Sequence, residues 1–307
     1  MRYSSVAIMG LGAVGSYVLW GLSKRTDIDL CVVADGERKE KLQKYGVEIN
    51  GEEYFPTVKT PFEAKGVDLL IICTKYNSLL DSLDDIQTIV DDTDVMSLLN
   101  GVDSEEIIGS RIGDEHMIPA LIKVASERHG NIIKFDPETT IGIIYGELTG
   151  EISPRIEGLN DLFEGTGIHY RQTDVILSEI WSKFRLNVSN NQPQAMINCG
   201  VGAYDDSVHA AFIQGKLREE LEAIAKAKGI DMSLSDKSSG KGSKVKPRAR
   251  YSTLQDLDAG RHTEVDVFAG TIVRMGKELN IPTPYNEFTY HMIKALEERN
   301  DGLFDYD

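Results

Sequence analysis

The stretch Val6–Ser16 constrains the fold of this chain more strongly than any other part of the sequence. The apolar residues Val6–Met9 are typical of a short buried strand, and three glycines follow in the order G-x-G-x-x-G before an apolar helical pattern begins. In this motif the first glycine permits a tight turn, the second lets a pyrophosphate approach the backbone, and the third lets the helix pack on the strand. The alternative is a glycine turn with a purely structural role. The stretch predicts a dinucleotide site built from Gly10, Leu11, Gly12, Ala13, Val14 and Gly15.

Strand and helix patterns alternate over the first hundred residues. Apolar runs at Leu30–Ala34, Val67–Cys73 and Asp94–Leu99 suit strands that are buried on both faces. Helical patterns lie between them, for example at Arg38–Tyr45 and Leu79–Val90. Such alternation predicts a parallel sheet with right-handed crossovers, which is a Rossmann-type α/β domain.

We expect two domains, 1–173 and 174–307, because a chain of 307 residues has room for two hydrophobic cores. Residues 117–173 are rich in strand and turn signals, with one helix near Ile156–Glu164, and are expected to complete the first domain. Long helical patterns dominate after Asp174, so the second domain is predicted to be all-α. Its expected helices are Val175–Cys199, Ser207–Gly229, Ser252–Asn280 and Asn286–Arg299, with a loop or mobile segment at Asp231–Arg250.

The composition argues against several classes of partner. A formal net charge of −16 would repel nucleic acid and anionic membranes. There is no apolar run long enough to span a bilayer, and the first strand begins too early to leave room for a signal peptide. The cysteines Cys31, Cys73 and Cys199 are odd in number and widely spaced, which indicates buried thiols in a reducing cytoplasm. The histidines show no metal-ligand spacing, so no metal site is predicted.

Asp35 follows the second predicted strand, where a carboxylate can accept hydrogen bonds from the ribose hydroxyls of the adenosine. The same carboxylate would repel a 2′-phosphate, so taken alone it favours NAD over NADP. Arg38 and Lys39 lie close enough in the sequence to weaken that conclusion. The alternative is an aspartate in a solvated turn.

Polar residues also follow two later strands. Lys75 comes after Leu69–Thr74, and Asn100 comes after Val95–Leu99. Because ligands bind beyond the carboxyl ends of strands in open α/β sheets, both side chains are placed to meet the nicotinamide end of a cofactor. A solvated lysine and an Asn-Gly turn are the structural alternatives.

A second set of polar residues lies on the first helix of the second domain. Lys183, Asn187 and Asn191 are four residues apart, so they share one face of a helix that is otherwise largely apolar. Asparagine offers both donors and acceptors, which suits a ligand with carboxylate, ketone and hydroxyl groups. Pro193 is expected to weaken or kink the helix. The alternative is a polar strip that faces water or the other domain.

The quoted blocks together resemble one family over essentially the whole chain. The blocks are GLGAVG, CTK ending at Lys75, LLNG at Asn100, WSKFRLNVSNN, and YSTLQDLDAGRHTEVD, which contains Ser252 and Glu264. In this order they are similar to the 2-dehydropantoate 2-reductases, also called ketopantoate reductases, which act in pantothenate biosynthesis. The last two blocks are specific to that family in a way that the glycine motif is not.

The resemblance implies a two-domain enzyme whose cleft holds NADPH and a 2-oxo acid. It implies that Lys183 is the general acid and that Glu264 supports the lysine or the substrate hydroxyl. Substrate contacts are implied for Asn100, Asn187, Asn191 and Ser252, and Lys75 and Asn100 are expected to bridge cofactor and substrate. A homodimer is possible.

Two departures from the family pattern leave alternatives open. Asp35 stands where the family usually has an arginine for the 2′-phosphate, so NADP and NAD both remain possible. An NAD-dependent D-2-hydroxy acid dehydrogenase for another branched or aromatic 2-oxo acid is the alternative enzyme, and a non-catalytic redox sensor is the alternative of another class. The basic loop Lys237–Arg250 is either solvated or a mobile flap over an anionic ligand.

Overall fold

The computed structural model describes residues 3–124, 126–238, 246–304 and 306. The chain divides into two units, Met1–Ile176 and Leu177–Asp307. Every strand among the described residues lies in the first unit, while the described part of the second unit consists of helices and loops. The predicted fold class, a Rossmann-type α/β part followed by an all-helical part, is confirmed.

A parallel sheet forms the centre of the first unit. The described strands are β1 (Ser5–Met9), β2 (Asp29–Val33), β3 (Val47–Ile49), β4 (Glu52–Tyr54), β5 (Thr57–Lys59), β6 (Leu69–Ile72), β7 (Asp94–Ser97), β8 (Met117–Ile118), β9 (Ala120–Lys123), β10 (Ser126–His129), β11 (Ile132–Phe135), β12 (Gly142–Tyr145) and β13 (Tyr170–Gln172). Six of them pair in the order β5-β2-β1-β6-β7-β8, and all the pairs are parallel. Met9 at the end of β1 is in register with Val33 and Ile72, so the strands end together at one edge.

Two hydrophobic clusters cover the two faces of this sheet. Val6 and Ile8 belong to the cluster that includes Tyr17 on the first helix, whereas Ala7 and Met9 belong to the cluster that includes Ile86 on the third. Successive strand residues therefore alternate between the faces, and both faces are buried. This burial explains why the strands read as continuous apolar runs.

The remaining strands form two smaller sheets, of order β10-β11-β3-β4 and β13-β12-β9. The strand-rich region after residue 117 therefore adds only β8 to the parallel sheet. In the first small sheet, β10 and β11 form an antiparallel hairpin that turns at Gly130, where φ is +63°. Strand β11 then runs parallel to β3 and attaches the hairpin to the segment after the second helix.

Helices cover the sheet and make up the second unit. In the first unit they are α1 (Ala13–Leu22), α2 (Gly36–Tyr45), α3 (Leu79–Ile89), α4 (Ser104–Ile112) and α5 (Pro154–Phe163). They continue with α6 (Ile176–Leu186), α7 (Gln192–Ile197), α8 (Ala203–Asp206), α9 (Val208–Ala227), α10 (Ser233–Ser238), α11 (Ser252–Asp258), α12 (Ala269–Leu279) and α13 (Pro284–Asn300). A π-helical turn at Asn187–Asn191 joins α6 to α7.

Two of the expectations for the second domain are wrong. The helix predicted over Ser252–Asn280 is two helices, α11 and α12, because the chain leaves the helical path at Gly260, where φ is +64°. The backbone N–H of Thr263 is then taken by the Glu297 carboxylate instead of a helical carbonyl. The expected loop after Asp231 contains the short helix α10.

Candidate functional site

The three glycines of the N-terminal motif differ in how closely other atoms surround them. Gly10 has φ of +96°, and a Cβ atom there would lie 2.6 Å from the backbone nitrogen of Thr74. A Cβ atom at Gly15 would overlap the carbonyl oxygen of Gly10, so helix and strand approach closely only because this residue is glycine. Gly12 is different, because the nearest atom to its Cβ position is Arg128 Nη1 at 3.7 Å. The loop is closely packed at Gly10 and Gly15, and it leaves room for a ligand at Gly12.

The first turn of α1 suits the phosphates of a dinucleotide. Gly12 is the N-cap and offers no side chain to the first N–H groups, and the turn contains no acidic residue. Backbone N–H groups at a helix N-terminus bind anions through hydrogen bonds and the helix dipole. The open space at Gly12 lies at this N-terminus, and the residues present therefore fit a nicotinamide dinucleotide.

Three of the predicted site residues follow strands of the parallel sheet at its carboxyl edge. Asp35, Lys75 and Asn100 come after β2, β6 and β7. Asp35 is exposed and caps α2, because its Oδ1 accepts a hydrogen bond from the N–H of Gly36 at 2.6 Å. Lys75 is exposed, and Asn100 is half-buried before Gly101, whose φ is +103°. The structure places all three at the edge where open α/β sheets bind ligands.

A buried polar network that the sequence did not reveal lies close to Asn100 in the chain. The hydroxyls of Ser97 and Ser104 are 2.9 Å apart, and Ser104 Oγ donates to Glu105 Oε2 at 2.8 Å. Burial raises the pKa of Glu105, although its hydrogen bonds act in the opposite direction. These contacts connect the end of β7 to the start of α4, on either side of the turn that contains Asn100.

In the second unit, the predicted polar face on the first long helix includes a π turn. Asn191 Nδ2 donates to Asn187 Oδ1 at 3.3 Å, so the two amides meet on one face as predicted. Pro193 has no N–H and cannot continue the α-helical hydrogen-bond ladder. Lys183 is half-buried one turn before Asn187. Single π turns of this kind are frequent at functional sites.

Side chains satisfy the carbonyls around this turn. Ser189 Oγ donates to the Arg185 carbonyl at 2.7 Å, and Gln192 Nε2 donates to the Val188 carbonyl at 3.0 Å. The Tyr204 hydroxyl donates to the carbonyl of Asn190. These three bonds stabilise the irregular backbone, because carbonyls that leave the α-helical ladder need other donors.

Ser252 is held near the π turn by a glutamine that sequence reasoning missed. Gln194 is fully buried, and its amide donates to the Ala249 carbonyl at 2.8 Å and accepts from the Tyr251 N–H at 2.7 Å. Ser252 is exposed and begins α11 directly after this anchored segment. The polar run N-N-Q-P-Q, in a region that is otherwise apolar, is the signal that was available in the sequence.

Glu264 lies in the irregular segment between α11 and α12 and is half-buried. The buried Glu297 carboxylate fixes this segment, because its Oε1 accepts from both the N–H and the hydroxyl of Thr263 at 2.7 Å. Asp266 on the other side accepts from the Tyr290 hydroxyl at 2.9 Å. Glu264 is therefore held between two attachments to α13, which sequence patterns did not predict.

The structure describes only part of the basic segment Lys237–Arg250. Residues 239–245, including Lys244, lie outside the described residues. Lys246 and Arg248 are exposed. Arg250 donates to Asn198 Oδ1 at 2.8 Å and to Asp258 Oδ2. Arg250 thus has a structural role, and the flap remains a hypothesis.

Two features are absent from the residues that the structure describes. None of their helices is both long and apolar enough to cross a membrane. They also contain no group of His, Cys, Asp or Glu side chains arranged to hold a metal ion.

A glycine loop and an open helix N-terminus at the carboxyl edge of a parallel sheet define a Rossmann-type dinucleotide-binding unit. Family models described as "Ketopantoate reductase PanE/ApbA" and "Ketopantoate reductase PanE/ApbA C terminal" match residues 6–144 and 175–297. The chain belongs to the PanE/ApbA ketopantoate reductase family.

Individual relatives match over nearly their full length. A 2-dehydropantoate 2-reductase from Pyrococcus horikoshii is 29% identical over 307 residues, covering 97% of this chain and 99% of that protein. The crystal structure of a PanE/ApbA family ketopantoate reductase from Ralstonia eutropha superposes with a TM-score of 0.81 at 24% identity, covering 97% and 99%. The structure of D-mandelate dehydrogenase with NADH and anilino(oxo)acetate superposes with a TM-score of 0.80 at 22% identity, covering 97% of this chain and 99% of that chain. These two structures share the fold of this chain.

Proposed function

We propose that this protein reduces 2-dehydropantoate to pantoate with a reduced nicotinamide dinucleotide. The observation that carries the proposal is the pair of amides at Asn187 and Asn191, which meet on one helix face beyond Lys183. This arrangement is found in a chain that also has the glycine loop, and it supplies donors and acceptors for a 2-oxo acid. Family membership and the relatives named 2-dehydropantoate 2-reductase support the same activity.

Residues of the glycine loop would hold the cofactor. Gly12, Ala13 and the following N–H groups of α1 bind the pyrophosphate, while Gly10 and Gly15 keep the loop in shape. When bound, the dinucleotide supplies the hydride that adds to the substrate carbonyl carbon. Lys75 and Asn100, which follow β6 and β7, are proposed to orient the nicotinamide end and the substrate.

The chain's own contribution to the chemistry is a proton and orientation. Hydride addition turns the ketone oxygen into an alkoxide, and the Lys183 ammonium donates a proton to that oxygen as charge develops. The neutral amine then regains a proton from solvent. Asn187, Asn191 and Ser252 hold the carboxylate and hydroxyl groups, and Glu264 supports Lys183 or the substrate hydroxyl.

A second candidate is the NAD-dependent reduction of another branched or aromatic 2-oxo acid. Asp35 favours it, because a carboxylate after β2 repels a 2′-phosphate. The structural likeness to D-mandelate dehydrogenase with NADH adds no more than a shared fold. A third candidate, from another class of function, is a non-catalytic redox sensor. That the protein forms a homodimer remains a prediction.

Steady-state rates separate these possibilities. Wild-type protein is assayed with NADPH and NADH against 2-dehydropantoate, a panel of branched 2-oxo acids and phenylglyoxylate. We expect the highest kcat/KM with 2-dehydropantoate. A higher kcat/KM with phenylglyoxylate would favour the second candidate, and binding of cofactor without turnover of any 2-oxo acid would favour the sensor.

A further inference from the structure

A pocket of about 490 Å³ lies beside the glycine loop, entirely within the first unit. Leu11 of the loop contributes to its wall, together with residues of α2 and of the β10–β11 hairpin. Its polar lining residues are Glu37, Arg38, Lys41, Arg128 and Asn131. The pocket therefore joins the dinucleotide loop to the helix that follows β2, which is the side of a Rossmann unit that receives the adenosine ribose.

The charges in this pocket are unbalanced in favour of cations. Glu37 and Lys41 pair with each other at 3.1 Å on the exposed face of α2. Arg38 and Arg128 both line the pocket, and neither guanidinium forms an ion pair with a carboxylate among the described residues. Lys39, by contrast, bonds to Glu63 at 2.6 Å, so it contributes to a different contact.

The two arginines affect each other. Desolvation lowers the pKa of the Arg128 guanidinium, and the positive charge of Arg38 lowers it further. Arg128 Nη1 also reaches to within 3.7 Å of the Cβ position of Gly12. Like charges brought together beside a ligand loop are unfavourable in the free protein, and a bound anion relieves that repulsion.

The Asp35 carboxylate repels a 2′-phosphate less strongly than its position directly after β2 suggests. One of its carboxylate oxygens accepts the hydrogen bond that caps α2, and the side chain is exposed to solvent. Solvent screens an exposed charge, whereas a guanidinium can bind a phosphate through two parallel hydrogen bonds. Since Glu37 is paired with Lys41, the Arg38 and Arg128 guanidiniums face only the Asp35 carboxylate and outweigh it.

We propose that Arg128 of the β10–β11 hairpin and Arg38 of α2, assisted by Lys41, form the binding site for the 2′-phosphate of NADP(H). The inference rests on the proposed dinucleotide-dependent function. In this proposal the phosphate is bound by a hairpin of a separate sheet. It is not bound by the residue directly after β2, which is Asp35. It also makes NADPH the preferred cofactor.

Calorimetric titration with NADPH, NADH and 2′,5′-ADP tests this site without substrate. Wild-type protein should bind NADPH at least about tenfold more tightly than NADH. Arg128→Ala and Arg38→Ala should each weaken NADPH and 2′,5′-ADP binding by roughly 10- to 100-fold, the range for a charged hydrogen bond, and change NADH binding less than about threefold. Arg128→Lys should recover part of the loss, because it keeps the charge but not the fork geometry.

Arg111→Ala is the matched control, since Arg111 is exposed on α4 and pairs with Asp84 away from the pocket. Its affinities for both dinucleotides should equal those of the wild type. Tighter wild-type binding of NADH than of NADPH would overturn the inference, as would equal losses of NADH and NADPH affinity in the arginine variants. Wild-type protein that discriminates between the dinucleotides but turns over no 2-oxo acid would contradict the proposed function alone.

Discussion

Asn191 donates a hydrogen bond from its amide to the side-chain oxygen of Asn187 across a π turn, at 3.3 Å. The turn brings the amides into contact on the same helix that carries Lys183. Because each amide has both a donor and an acceptor group, the pair can hold each other and still contact a carboxylate or hydroxyl. This relationship makes the π turn the centre of the proposed substrate site.

Replacing Asn191 with alanine tests that proposal. We expect KM for 2-dehydropantoate to rise about tenfold, the effect of a lost hydrogen bond to a charged group, while the Kd for the dinucleotide stays the same. Asn190→Ala is the matched control on the same turn, because Asn190 Oδ1 accepts from Ser189 and Gln214 within the protein. Equal changes of KM in the two variants would show that the effect is structural.

Gln194 is predicted to act on Ser252 through the backbone before it. Gln194→Ala leaves the Ala249 carbonyl and the Tyr251 N–H without their partner, which should cost about 1–3 kcal/mol of unfolding free energy. The same change should raise KM for the 2-oxo acid and leave dinucleotide affinity unchanged. Denaturant unfolding and steady-state kinetics measure both effects. Gln87→Ala, an exposed change on α3, is the control and should alter neither. A Gln194→Ala variant with wild-type stability would refute the anchoring role.

Substitutions at two glycines of the loop should affect dinucleotide affinity and protein stability separately. At Gly12 a methyl group has space in the protein but would occupy the approach of the pyrophosphate. Gly12→Ala should therefore keep its thermal midpoint and lose dinucleotide affinity in a calorimetric titration. Gly15→Ala should unfold at lower temperature, because its Cβ would overlap the Gly10 carbonyl. Unchanged dinucleotide affinity in Gly12→Ala would contradict the loop assignment.

Glu147 gives the first unit a pH-dependent contribution to stability. Arg155 hydrogen-bonds to this carboxylate at 2.7 Å and lowers its pKa, with help from Ser153. A lowered folded-state pKa means that the stabilisation is complete above the unfolded pKa of about 4.3 and is lost as pH falls through the folded value.

Glu147→Gln should therefore lower the unfolding free energy at neutral pH and have a shrinking effect in acid. Urea titrations at several pH values measure the difference between variant and wild type. Glu157→Gln, an exposed change on α5, is the control and should have little effect at any pH. A difference that stays constant down to strong acid would contradict the ion pair as its cause.

The parts of the fold that depend on local sequence patterns could be predicted. The strand Val6–Met9, the glycine turn and α1 were predictable because apolar runs and glycines have direct backbone consequences. Long-range contacts were not predictable in this way. Glu297 takes the N–H of Thr263 from 34 residues away and fixes the irregular segment between α11 and α12. Arg128 lies near Gly12 on a hairpin that pairs with β3 through β11, and no local pattern predicts that pairing.

The most direct test of the central claim is the rate of 2-dehydropantoate-dependent NADPH oxidation by wild type and by Lys183→Ala. We expect that the wild type turns over and that the variant loses roughly two or more orders of magnitude in kcat, as is typical for a general acid. Calorimetry should show an unchanged Kd for NADPH in the variant. The control Lys216→Ala, on α9 where Lys216 pairs with Glu219, should leave kcat unaltered. Wild-type kcat in Lys183→Ala would contradict the account, because the proton would then come from another group.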